Sequence, residues 1–156
     1  MSRIIDQALL DVLSDEARNS LRRRKNRNFH THDAAQAHRL LNAIEPDSYI
    51  APHRHLDANK DESIIILRGK LGAVFFDDAG GVTQTVVLQP GGAAVGINVP
   101  HGAYHAVLAL QAGTVFFEVK AGPYLPFTAE EKAPWAPAET APAAAGYLER
   151  LRALFE

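Results

Sequence analysis

The chain has 156 residues, 47% hydrophobic and 22% charged, with a net charge of −2, which is the balance of a globular protein long enough to bury a core. That charge argues against general affinity for nucleic acid or an acidic membrane, because both need an excess of Lys and Arg. The absence of cysteine excludes disulfides, thiolate metal sites and cysteine nucleophiles, and leaves imidazole, carboxylate and water as the ligands open to a metal.

Residues 3–20 predict an amphipathic helix, with Ile5, Leu9, Leu10 and Leu13 at helical spacing and acidic residues between or beyond them. Asp6 and Asp11 interrupt the apolar residues there, so no secretory core forms, and no run reaches the ~20 apolar residues that span a bilayer. The expectation is a cytoplasmic protein without a membrane partner. Arg22-Arg23-Arg24-Lys25-Asn26-Arg27 reads as a solvated connecting segment rather than a phosphate patch. His30 and His32 form one His-x-His pair, but no apolar strand follows it, so both read as surface or rim residues. His38 falls on the first long strand and has the same plain reading.

From Ala37 to Lys120 short β-rich runs alternate with turn signals. Strands are expected near 38–45, 48–53, 62–67, 70–77, 82–88, 93–97, 104–109 and 113–120, with the clearest hairpin at Asp77-Asp78-Ala79-Gly80-Gly81. About eight close strands without intervening helices argue for an all-β barrel or double-sheet jelly roll. Residues 123–145 hold five of the nine prolines and read as an extended arm. Trp135 within it is expected against the barrel or at a dimer contact. Helical spacing resumes from Gly146 to Phe155. The expected organisation is one domain: residues 1–36 as helix and arm, 37–122 as barrel, 123–156 as arm and short helix.

Within the barrel region, His53 and His55 flank Arg54. On a strand they would share a face about 7 Å apart, since side chains alternate and the rise is ~3.3 Å per residue. Glu62 opens the next apolar run, and Gly69 makes the turn Arg68-Gly69-Lys70. His105 comes from a distant strand after Pro100-x-Gly102, where proline and glycine bend the backbone. The residues themselves leave open whether Glu62, Asp57 or Asp61 supplies the carboxylate.

These positions resemble the two motifs of the cupin superfamily. His53, His55, Glu62 and Gly69 match the first, and Pro100, Gly102 and His105 match the second. Asp47, Ala94 and Ala109 depart from it, and six residues rather than three or four separate His55 from Glu62. The resemblance implies a double-stranded β-helix holding one divalent transition metal (Zn, Fe, Mn, Ni or Co) through His53, His55, His105 and Glu62. Further segments, among them Asn28-Phe29-His30, Leu67-Arg68-Gly69-Lys70-Leu71-Gly72 and Phe117-Glu118-Val119-Lys120-Ala121-Gly122-Pro123-Tyr124, resemble the WbuC-type cupin-fold metalloproteins. That resemblance implies a context of surface-polysaccharide metabolism and a sugar or nucleotide sugar as ligand.

Three readings follow from these resemblances. The first is a metal-dependent enzyme, isomerase- or epimerase-like or a dioxygenase, with His101 and Glu118 as candidate catalytic residues. The second is a non-catalytic metal-dependent binding or sensing module. In the third the histidines are core residues without a metal, which burial of unneutralised polar groups disfavours. Cupins often pair, so a homodimer is expected. Arg54 should point away from the ion into a structural ion pair, and Tyr104 should face away as well.

Overall fold

Alternation along each strand decides which residues build the interior. In the strand Glu62–Arg68, Glu62, Ile64 and Ile66 are buried while Ser63 and Ile65 face out. The computed structural model describes residues 1–156. In chain order it contains α1 (Gln7–Arg18), β1 (Arg24–Asn28), β2 (Ala37–Ile44), β3 (Glu62–Arg68), β4 (Leu71–Phe76), β5 (Val82–Leu88), β6 (Gly96–Val99), β7 (Tyr104–Ala109), β8 (Thr114–Ala121), α2 (Ala144–Arg152) and a closing 3-10 turn, Ala153–Phe155.

The strands form two antiparallel sheets, ordered β1-β2-β8-β3-β6 and β5-β4-β7. Between them, Ile44, Ile64, Ile66 and Phe116 of the larger sheet pack on Leu71, Ala73, Leu88, Val107 and Ala109 of the smaller one. The outer face of the larger sheet buries Leu41, Ala43 and Val115 under Leu10, Leu13 and Ala17 of α1. Asp6 caps that helix by accepting from the Leu9 amide at 2.9 Å, which satisfies one otherwise orphaned donor. The outer face of the smaller sheet, including Val74, Phe76 and Tyr104, lies under Ala133 of the arm and Leu148 and Leu151 of α2. The expected all-β jelly-roll barrel with an N-terminal helix and a C-terminal arm and helix is the architecture observed.

The Arg68-Gly69-Lys70 turn requires glycine. Gly69 has φ +81°, and a Cβ there would stand 2.8 Å from the Thr114 Cα. The backbone must pass close to β8 in a conformation that L side chains rarely adopt.

Several expectations need correction. No strand spans 48–53; His53 makes only isolated bridges, with His105 and with Lys132 of the arm, because Pro46 and Pro52 lack the amide a ladder needs. The basic run is not a simple connection, since Arg24–Asn28 is an edge strand whose backbone pairs with β2. It has no apolar alternation to reveal it, and edge strands tolerate charge on either face. The first helix is shorter than 3–20, and the strand expected at 93–97 lies at Gly96–Val99. The arm does more than extend over the surface, since Ala133 is buried, and Trp135 lies against the barrel as expected, its ring centroid 4.7 Å from Phe76 and 5.8 Å from Tyr104.

Candidate metal centre

Three separate parts of the chain bring the four candidate ligands together. Glu62 enters from the inward face of β3, opposite Val99. His105 projects from the inward face of β7, in register with Phe75 of β4. His53 and His55 come from the irregular segment before β3. Paired amide–carbonyl bonds between His53 and His105, at 3.1 and 2.9 Å, fix this segment, and the Gly102 amide donates to the His55 carbonyl at 2.6 Å. One ligand atom from each of His53, His55, Glu62 and His105 lies within 4.8 Å of all the others.

The donor set fits a metal ion. The Nδ1 of His53 is 3.0 Å from the Ala51 carbonyl, and the Nδ1 of His105 is 3.0 Å from the Ala103 carbonyl. A carbonyl only accepts, so both rings carry their proton on Nδ1 and turn a bare Nε2 to the site. This is the outer hydrogen bond that orients metal-binding imidazoles. Burial, helped by neighbouring imidazoles, pushes His53 down to about 3 and lowers His105 as well, so both rings are neutral, as ligation requires. The Glu62 Oε2 stands 3.1 Å from His55 Nε2 and 3.8 Å from His105 Nε2. Burial alone would raise the Glu62 carboxyl, but the His55 hydrogen bond and the nearby Lys120 charge hold it well below the usual carboxylate range. Donors at about 2.1 Å from one ion stand about 3 to 4 Å apart, so closing on an ion asks only for small side-chain adjustments.

Other candidates fall elsewhere. Asp61 pairs with His101, Oδ1 to Nδ1 at 2.8 Å, on an exposed loop, and Asp57 caps the Asn59 amide at 2.9 Å. Neither joins the cluster, and Glu62 is its carboxylate. His101 is thus held by Asp61 outside the group of four. His30 stacks on buried His38, centroids 3.9 Å apart, and His32 is exposed. Arg54 turns outward over the Tyr104 ring, 4.4 Å from its centroid, and lies 3.6 Å from Asp78.

Glu118 lies on the inward face of β8, opposite Ile64. Lys120 Nζ contacts its Oε1 at 2.6 Å, and Asn42 Nδ2 its Oε2 at 2.8 Å. Burial and the Glu62 charge raise the Glu118 carboxyl, against the pull of Lys120. Burial alone would weaken the Lys120 ammonium, but Glu118 and Glu62 keep it charged.

Lys120 was legible in principle, because two residues along a strand from Glu118 it must share its face. Phe127 was not. The arm carries its ring to 4.5 Å from His53 and 5.7 Å from His55, roofing the cluster. Amides of Arg54 and Ala133, donating to Glu131 and Pro52 at 2.9 and 3.2 Å, hold the arm there.

A family model described as a domain of unknown function (DUF6016) matches residues 5–88, more than half of the chain. The chain belongs to the DUF6016 family. No curated protein matches this DUF6016 chain. Among solved structures, it is similar to KdgF from Halomonas sp., at 13% identity and TM-score 0.51, covering 64% of this chain and 80% of that one. It is also similar to SPY1581, a conserved protein of unknown function from Streptococcus pyogenes, at 16% identity and TM-score 0.54, covering 80% and 91%. A cupin-2 domain containing protein from Shewanella frigidimarina aligns at 22% identity and TM-score 0.46, covering 62% and 79%. At such identities likeness concerns the fold alone, and the fold of this DUF6016 chain is a jelly roll of two antiparallel sheets. Its buried three-histidine, one-glutamate group can hold a metal.

Proposed function

We infer that this protein binds one divalent transition-metal ion through His53, His55, His105 and Glu62 and acts on a sugar or sugar-derived small molecule. The observation that carries this reading is the convergence of three imidazoles and one carboxylate, two of the rings pre-oriented by backbone carbonyls. An all-nitrogen-and-oxygen set of this kind suits Fe, Mn, Co, Ni or Zn. When bound, such an ion supplies Lewis-acid polarisation of a substrate oxygen. The sugar context rests on the likeness of Leu67–Gly72 and Phe117–Tyr124 to the WbuC-type proteins.

In this reading the chain's own residues divide the remaining work. Lys120 and Asn42 hold the Glu118 carboxylate on the inner wall, where it accepts or returns a proton from a bound sugar carbon or hydroxyl. Phe127 keeps water from the cluster on the arm side. A second reading, a metal-dependent binding module, is favoured by one observation. Both candidate bases are already engaged, Glu118 by Lys120 and Asn42 and His101 by Asp61.

Metal analysis of protein purified without added metal tests the common part. About one equivalent is expected in the wild type and almost none in His55→Ala, and equal content in both would end the metal reading. Screening nucleotide sugars and hexose phosphates with each candidate ion then separates enzyme from binding module. Turnover abolished by Glu118→Gln supports the enzyme, and binding without turnover supports the module.

A further inference from the structure

An open, strongly polar cleft of about 390 Å³ lies along one face of β1, β2 and β8. Its floor follows from strand register. Asn26 of β1 pairs with Asn42 of β2, Asn28 with Leu40, and Leu40 with Glu118 of β8. All of these lie on the face that carries Ile64 and Phe116 toward the smaller sheet. Three carboxamides and a carboxylate thus line one wall. Asn26 Nδ2 donates to Asn28 Oδ1 at 2.8 Å, and Asn42 Nδ2 to Glu118 Oε2 at 2.8 Å, leaving each amide further donor or acceptor capacity facing the cleft.

The cleft is electrically balanced. Its charged walls include two cations and two carboxylates, Arg22, Lys120, Asp33 and Glu118. Lys120 is tied to Glu118 at 2.6 Å, and Arg22 to Glu139 of the arm at 3.1 Å. Each cation of the lining thus already contacts a carboxylate, Arg22 sharing Glu139 with Arg24. Tyr124, 60% exposed, also lines the cleft, and an aromatic ring is a surface on which sugar C–H bonds can pack. Lys120, His38 and Tyr124 also line an adjoining cavity of about 430 Å³ that reaches His55, so the two spaces share a wall.

We propose that the cleft of Asn26, Asn28, Asn42 and Glu118, lined also by Tyr124, is a second ligand subsite for a neutral polyhydroxylated unit such as a pyranose. Carboxamides suit this ligand because each both donates and accepts, as each sugar hydroxyl does, and the tethered Lys120–Glu118 pair adds orientation without net charge. The physiological ligand is then a glycoside of at least two parts, one at the metal centre and one in the asparagine cleft. Only the placing of its other part rests on the metal-centre reading.

The test is ¹H–¹⁵N NMR of the full chain, following the side-chain amides of Asn26, Asn28 and Asn42. The probes are the methyl pyranosides of glucose, galactose, mannose and rhamnose, with inorganic phosphate and acetate as the anionic arm. At least one pyranoside is expected to shift these amides saturably at millimolar concentration, with binding about tenfold weaker in Asn28→Ala. Asn28 is exposed, so this variant keeps the fold, which its backbone spectrum verifies. Overturning results are no shift with any pyranoside, an Asn28→Ala affinity equal to wild type, or phosphate or acetate shifting the amides more strongly. Metal content measured on the same samples keeps the two readings apart. Pyranoside binding retained in metal-free His55→Ala supports the subsite whatever becomes of the metal centre, whereas a metal-loaded wild type blind to every pyranoside overturns the subsite alone.

Discussion

His53 and His105 owe their usefulness to an atom on the far side of each ring. The carbonyl two residues upstream, Ala51 in one case and Ala103 in the other, accepts a hydrogen bond from Nδ1–H at 3.0 Å, which keeps the proton there and leaves Nε2 bare. This repeated Ala-x-His arrangement was present in the sequence but carries no signal until the backbone is bent around it. Gly69 shows the opposite, a residue whose role is read directly from the turn it makes. Gly69→Ala would place a methyl 2.8 Å from the Thr114 Cα at positive φ. A loss of roughly 3 kcal/mol is expected in urea unfolding, combining backbone strain with displacement of β8. A loss below about 1 kcal/mol would show that the turn relaxes instead.

At the scale of elements, α1 is held by one apolar stripe. Leu13 is fully buried against Leu41, Ala43 and Val115, so Leu13→Ala should cost about 3 kcal/mol through lost burial and a cavity. Urea midpoints read this out, and an unchanged midpoint would mean that α1 contributes nothing to the cooperative unit. The arm is held differently, by Glu139 against Arg24 at 2.6 Å and Arg22 at 3.1 Å. Burial would raise the Glu139 carboxyl, but the two guanidiniums hold it below its ordinary value. A depressed carboxylate stabilises the fold above its unfolded pKa of about 4.3, and the contribution disappears as pH falls through the lower folded value. Glu139→Gln should therefore be less stable than wild type at pH 7, by under about 1 kcal/mol because the pair is part-exposed. The gap should shrink toward zero in strong acid. A gap that stays constant down to acid pH would remove the ion pair from this account.

For the whole molecule, an ion bound only by the folded state must raise its stability by mass action. At a free concentration about 100-fold above Kd the gain is about 2.7 kcal/mol, or roughly 5–10 °C in Tm for a chain of this size. Calorimetry of the wild type with Mn, Co, Ni or Zn should show that shift for at least one ion, and His55→Ala should lose it. An equal rise in both would place the metal elsewhere. Trp135, the sole tryptophan, lies against Phe76 and Tyr104, so its emission follows whether the arm leaves with the barrel or before it.

By itself the sequence determined what alternation and turn chemistry can carry. The apolar runs of β3, β4 and β7, the turn at Gly69 and the stripe of α1 are local patterns, and a local pattern is complete in the residues that make it. The metal-site candidates His53, His55, His105 and Glu62 were legible through the resemblance of their order to the cupin motifs, while the residues themselves left the carboxylate open among Glu62, Asp57 and Asp61. Tertiary structure alone decided the rest. Edge strand β1 has no apolar alternation, and only its backbone pairing with β2 makes it a strand. Asp61 was as near to His55 in sequence as Glu62, yet it turns to His101 while Glu62 turns inward. Phe127 comes from a proline-rich arm with no periodicity and reaches His53 across more than 70 residues of chain. Contacts of that length are set by how the sheets pack and where the arm is pinned, and no window of sequence contains both partners.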